Sequence, residues 1–157
     1  MGLVPTRFFI TAGKAASGIS ELNAFDVALI EAGIAEQNLL AVSSVIPIGA
    51  ERQELTEMEM GAVTHCVMSQ MRGRDGEVIA AGIAYAYRKD GRGGYVAEGH
   101  LHGSATDLDR ELRDKMREMA RIRGVELNEV STLTEELRVP EGRFGCCVVA
   151  LVFTEYR

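Results

Sequence analysis

Two adjacent hydroxyls, Ser43 and Ser44, lie in the run Asn38-Leu39-Leu40-Ala41-Val42-Ser43-Ser44-Val45-Ile46-Pro47, with apolar residues on both sides. A serine oxygen held against the carbonyl of the residue before it can attack that carbonyl and break the chain. The ester oxygen it forms can then leave by β-elimination, which few side chains allow. A second reading is structural, because a Ser-Ser pair can bond to nearby backbone and a buried hydroxyl needs such a partner. The dipeptide alone leaves both open.

Three further groups carry chemistry. Glu98, His100 and His102 alternate along the chain. On a strand they project from one face, which places one carboxylate and two imidazoles together as metal-ligand types; exposed histidines at a strand end give the same pattern. In Leu22-Asn23-Ala24-Phe25-Asp26, Asp26 stands beside the apolar stripe of an expected helix. A carboxylate there can receive a guanidinium or ammonium group, or it is a first-turn acid favoured by the helix dipole. The stretch Asp90-Gly91-Arg92-Gly93-Gly94 lacks the Lys-Ser/Thr ending and following helix of a phosphate loop. It reads as a hairpin turn.

These residues need a scaffold, and the rest of the chain describes one. At 157 residues, 46% hydrophobic and 25% charged, the chain has the size and composition of one globular domain. A net charge of −6 argues against a nucleic-acid partner and suits a cationic small molecule. Cys66, Cys146 and Cys147 are odd in number, and two of them are adjacent. That excludes a disulfide framework and points to reduced thiols. No apolar run is long enough to span a bilayer, so the expectation is a cytoplasmic protein with no membrane partner.

Strands are expected over residues 7–12, 38–46, 62–71, 77–88, 94–102, 125–133 and 144–156. The second of these is a buried strand holding the serine pair. Leu22, Phe25, Leu29 and Ala32 recur at helical spacing over residues 20–32, and Gly33 ends that helix. Ser104-x-x-Asp107 opens a second helix, with Leu108, Leu112, Met116 and Met119 as its buried stripe. Its other face, including the Glu111/Lys115 pair, reads as solvated. The last strand is apolar on both faces and therefore central. The fold class is α+β, a layered sandwich of mainly antiparallel sheet with flanking helices in a single domain.

Taken in order, Leu22-Asn23-Ala24-Phe25-Asp26, Ala32-Gly33-Ile34, Asn38-Leu39 and Ser43-Ser44-x-Ile46-Pro47 resemble the pyruvoyl-dependent arginine decarboxylases. Met60-Gly61-Ala62, Glu98 and Arg117-Glu118-Met119-Ala120 extend the likeness to most of the chain. The resemblance implies cleavage between Ser43 and Ser44 into a β chain of residues 1–43 and an α chain of residues 44–157. Ser44 would become a covalently bound pyruvoyl cofactor, with no metal. The reaction it implies is the decarboxylation of L-arginine to agmatine and carbon dioxide. By the same resemblance Asn38 assists cleavage or the finished site, Glu98 is the proton donor, and Asp26, Leu22 and Ser43 bind substrate. For Glu98 to donate, its carboxyl must hold a proton, which burial in the apolar strand would favour. Assembly as a homotrimer, or a dimer of trimers, with sites shared between neighbours is implied likewise. Two alternatives stay open: a pyruvoyl enzyme for another amino acid such as histidine, and a non-catalytic metal-binding module built on Glu98, His100 and His102.

Overall fold

A computed structural model describes residues 2–157, and in chain order its elements are β1 (Pro5–Ser17), α1 (Glu21–Ala32), β2 (Asn38–Ala41), β3 (Val45–Ile46), β4 (Glu51–Arg52), β5 (Val63–Arg74), β6 (Val78–Tyr87), β7 (Gly94–His102), α2 (Ala105–Arg123), β8 (Ser131–Arg138) and β9 (Phe144–Tyr156). They form a five-stranded sheet in the order β2-β5-β9-β1-β4 and a four-stranded sheet in the order β3-β7-β6-β8. The pairings are antiparallel except β1–β4 and β2–β5.

The alternation of β9 explains the layering. Cys147, Val149, Leu151 and Phe153 face the second sheet, meeting Ile79, Ala81, Ile83 and Val96 in the core between the sheets. Cys146, Val148, Ala150 and Val152 face the other way, onto Ala24, Ala28, Leu29 and Ala32 of α1. The second helix covers the far side of the four-stranded sheet with Leu108, Leu112 and Met116. The result is helix, sheet, sheet, helix around a central β9, as the doubly apolar run requires.

Both helix starts and stops follow their sequence signals. Ser20 and Ser104 accept the N–H of Asn23 and Asp107, and Gly33 and Gly124 close the helices in left-handed backbone. The first strand runs five residues past its expected end, through Gly13 and Lys14, because α1 rests directly on it. A Cβ at Gly13 would lie 2.1 Å from the Ala28 carbonyl oxygen, so only glycine admits this approach.

Two sequence expectations are corrected. The strand expected over 125–133 lies at Ser131–Arg138, because Val125, Leu127 and Val130 are used as loop residues that pack against α2. The single strand expected over 38–46 is two short strands, β2 and β3, in different sheets.

Candidate active site

The serine pair occupies the crossover between the sheets. The Val42 N–H donates to the Cys66 carbonyl at 2.9 Å, extending the pairing of β2 with β5. Two residues later the Val96 N–H donates to the Ser44 carbonyl at 3.0 Å, beginning the pairing of β3 with β7. One chain segment cannot pair in both sheets at once, so the strand breaks here. The peptide joining Ser43 to Ser44 lies between the two ties. Ser43 is exposed and Ser44 half-buried, so neither hydroxyl carries the burial penalty expected inside a buried strand.

Against this peptide lies a cavity of about 460 Å³. Ser43, Ser44, Glu98, Lys115, Glu118 and Met119 line it, over apolar walls that include Val67 and Val96. The strand β7 supplies Glu98, the crossover supplies the two serines, and α2 supplies Lys115, Glu118 and Met119. Although Tyr95, Val96 and Ala97 are buried, the Glu98 side chain is exposed at the cavity, which corrects the expectation of a carboxyl buried within the strand. Lys115 spans the two elements: its ammonium donates to the Glu98 carbonyl at 3.0 Å and pairs with Glu111 at 3.3 Å. Glu118 accepts two bonds of 2.7 Å from Arg121, which hold its carboxyl below the usual range. Met119, expected only as core filler, is half-buried and also faces the cavity.

A second cavity, of about 320 Å³, touches the same segment and is lined by Val42, Ser43, Val45, Pro47, His65 and Tyr156 among others. His65 Nδ1 lies 2.8 Å from the Tyr156 hydroxyl, and the rings meet edge to face with centroids 5.5 Å apart. Burial pushes the Tyr156 phenol up from its ordinary range. Sequence reasoning passed over this pair and gave Lys115 only a solvated role. The signal available for His65 was its alternation with Val67 on one face of a strand adjoining the serine segment.

Other expected site residues lie elsewhere in the single chain. Leu22 and Asp26 are on α1, which buries its opposite face against the five-stranded sheet, and they do not line the cavity at Ser44. They share an exposed face with Val27 and Ile30, where Leu22, Val27 and Ile30 are 64%, 44% and 56% exposed. Asn38 stands at the far end of β2 from the serines. Its side-chain amide donates to the Gly61 carbonyl at 2.8 Å rather than to the Ser43–Ser44 peptide. The metal alternative does not assemble: His102 pairs with Glu77 at 3.0 Å, His100 is exposed, and among the described residues no three His, Cys, Asp or Glu side chains converge on a common point. Nor do the thiols offer nucleophiles at neutral pH, because burial pushes Cys66 and Cys146 up to about 11 and Cys147 to about 12.

Comparison with known proteins bears on this geometry. A family model described as pyruvoyl-dependent arginine decarboxylase matches residues 7–157. Over 154 residues the chain is 37% identical to a pyruvoyl-dependent arginine decarboxylase of Methanothermobacter thermautotrophicus, covering 98% of this chain and 99% of that protein. It is 33% identical over 150 residues to one from Methanopyrus kandleri, covering 96% and 97%. Among solved structures, a pyruvoyl-dependent histidine decarboxylase at pH 8 superposes with a TM-score of 0.52 at 11% identity, over 62% of this chain and 53% of that one. A likeness at that identity concerns the fold alone.

Proposed function

The chain belongs to the pyruvoyl-dependent arginine decarboxylase family, and from that premise we propose that it cuts itself between Ser43 and Ser44 and then converts L-arginine to agmatine and carbon dioxide. The observation that carries the reading is the crossover. The bond to be cut lies between the last tie to one sheet and the first tie to the other, so cutting it removes no rung from either ladder. A cavity with a free carboxyl side chain, Glu98, opens on the residue that becomes the new N-terminus.

In the first stage Ser44 Oγ adds to the Ser43 carbonyl carbon, and the C–N bond breaks as the nitrogen takes up a proton. The product is an ester with a free amine. Loss of the Ser44 Cα proton then expels Ser43 as a carboxylate. Water replaces the nitrogen of the remaining dehydroalanine, releasing ammonia and leaving a ketone at residue 44. Residue 44 fits such a group, because it is half-buried on a cavity of about 460 Å³, room enough for an amino acid beside it.

The ketone supplies the electron sink that lets a substrate carboxylate leave. Glu98, on the same cavity, is the group in place to return a proton to the α-carbon. Substrate charge is matched by acids: the new Ser43 carboxylate and Glu118 border the same cavity, in a chain of net charge −6. Asp26 completes guanidinium recognition from a neighbouring copy, with Leu22 covering the substrate's methylenes. The exposed stripe of Leu22, Val27 and Ile30 around Asp26 supports that assignment, since an apolar helix face with one acid in it suits burial against a second subunit. In such a trimer Asn38 also has to reach the site from the neighbour.

Denaturing mass spectrometry of the expressed protein tests the reading. Two polypeptides are expected, residues 1–43 and 44–157, the longer one bearing a ketone that reacts with hydrazides. A single intact species of 17.1 kDa would refute it.

A further inference from the structure

Chain cleavage needs a group that can accept a proton and give it back. Ser44 Oγ–H loses its proton as the oxygen bonds to the Ser43 carbonyl carbon, and the Ser44 nitrogen gains one as the C–N bond breaks. The net proton change is zero, so one shuttling group completes the step. Five ionisable side chains line the two cavities that border this peptide: Glu98, Lys115 and Glu118 share one with both serines, and His65 and Tyr156 share the other with Ser43. Lys115 and Glu118 are held in ion pairs with Glu111 and Arg121. That leaves Glu98 and the histidine–tyrosine pair.

We propose that His65, held by Tyr156, is the proton shuttle for cutting the Ser43–Ser44 bond, acting from a cavity other than the one that Glu98 lines. Position comes first. The adjoining Cys66 carbonyl holds the Val42 N–H at 2.9 Å, so the strand that carries His65 also anchors the segment to be cut. His65 and Ser43 then face the same cavity of about 320 Å³. Chemistry agrees. His65 Nδ1 and the phenol oxygen are 2.8 Å apart; in the tautomer whose Nδ1–H donates across this contact, Nε2 carries the lone pair that takes the Oγ proton and passes it to the departing nitrogen. Tyr156 stays a neutral phenol through this, because burial opposes its ionisation. Two devices in cavities that share Ser43 divide the labour, His65 for maturation and Glu98 for turnover.

The inference rests on the self-cleavage reading, and the test separates the two. Freshly translated wild-type chain, His65→Ala, His65→Gln and Tyr156→Phe are followed by mass spectrometry for fragments 1–43 and 44–157. His65→Ala is expected to cut about 10²–10⁴-fold more slowly, the usual worth of a positioned acid–base group. Added imidazole, which fits the space vacated, is expected to restore cutting, an effect that a purely structural histidine would not show. Tyr156→Phe keeps the ring and loses the tether, and is expected to slow cutting about tenfold at constant circular dichroism. His65→Gln preserves side-chain volume, and its slow cutting with a native spectrum supports the proposal even if the alanine variant fails to fold. Wild-type chain that cuts while His65→Gln cuts equally fast overturns the inference alone. Wild-type chain that never cuts overturns the cleavage reading and this inference with it.

Discussion

Gly93, in the hairpin between β6 and β7, is expected to govern cleavage without touching either serine. Its φ is +79°, and a Cβ built on it lies 2.4 Å from the Ile46 carbonyl oxygen and 3.3 Å from the Ile48 nitrogen. Ordinary contact begins at 3.4 Å, so alanine there leaves a shortfall of about 1 Å against backbone that has no side chain to swing away. Ile46 is two residues from Ser44 and ends β3, so the displacement lands on the segment that aims Ser44. Gly91 supplies the control: its φ is +75°, and a Cβ there meets nothing within 4 Å. Both alanine variants incur the left-handed backbone cost of about 1–2 kcal/mol. Gly93→Ala adds about 1–3 kcal/mol for overlap. Measured on a Ser44→Ala background, so that both chains remain whole, the pair should differ in Tm by about 2–4 °C per kcal/mol of that extra term. On the wild-type background a 1 Å misplacement of the reacting atoms is worth roughly 10²-fold in rate. Cleavage should therefore slow by about that factor in Gly93→Ala and stay at the wild-type rate in Gly91→Ala. Equal cleavage rates in the two variants would refute the reasoning, because it makes the Ile46 contact, not the φ angle, the determinant.

Other outcomes can be checked alongside. Ser44→Ala should remain one chain of 17.1 kDa, and any cut at 43/44 in that variant would remove Ser44 as the attacking group. Asp26→Asn should lower kcat/KM for arginine by about 10–100-fold, the worth of a charged hydrogen bond, while citrulline binding changes little; equal losses for both would speak against guanidinium recognition. Glu98→Gln should still yield both fragments but turn over at least about 10²-fold more slowly, as read by carbon dioxide release. The thiols set an alkaline limit. The folded chain holds Cys66 and Cys146 protonated to about pH 11 and Cys147 to about 12, whereas an unfolded thiol ionises near 8.5. Their contribution is complete below that lower value and is lost as pH rises through the upper ones, at about 1.4 kcal/mol per pH unit for each thiol. Urea midpoints at pH 8 and pH 11 measure it, and equal midpoints would contradict it.

The sequence was most legible where local chemistry and packing agree. Ser20 and Gly33, and Ser104 and Gly124, mark helix ends that the structure places within a residue of expectation. The doubly apolar run ending at Tyr156 had to be central, and β9 is. Periodicity failed where one segment serves two partners. Residues 38–46 read as one apolar run with a serine pair in its middle, yet the ties at Val42 and Ser44 belong to different sheets, a fact that no local pattern carries. The site divides in the same way. Ser43, Ser44 and Glu98 meet across elements adjacent in space, whereas Leu22, Asp26 and Asn38 are carried on surfaces that this chain does not fold over them. Lys115 was misjudged because an i,i+4 partner at Glu111 explained it fully, and only the packing of α2 on β7 brings its ammonium to Glu98.

Under the proposed cleavage, the crossover has a further consequence for how long the cut protein lasts. Residues before the cut supply β1, α1 and β2, while the whole four-stranded sheet comes from residues after it. The first strand lies between β9 and β4 and shares twelve paired positions with β9. A severed N-terminal piece is therefore interleaved with the rest, held without a covalent link. Before the cut, folding is unimolecular and indifferent to concentration. Afterwards the two pieces must find each other again if they ever separate, so melting becomes concentration-dependent and recovery slow. A chain cut as proposed passes its folding test once, while whole, and the cut protein then persists by the slowness of its unfolding.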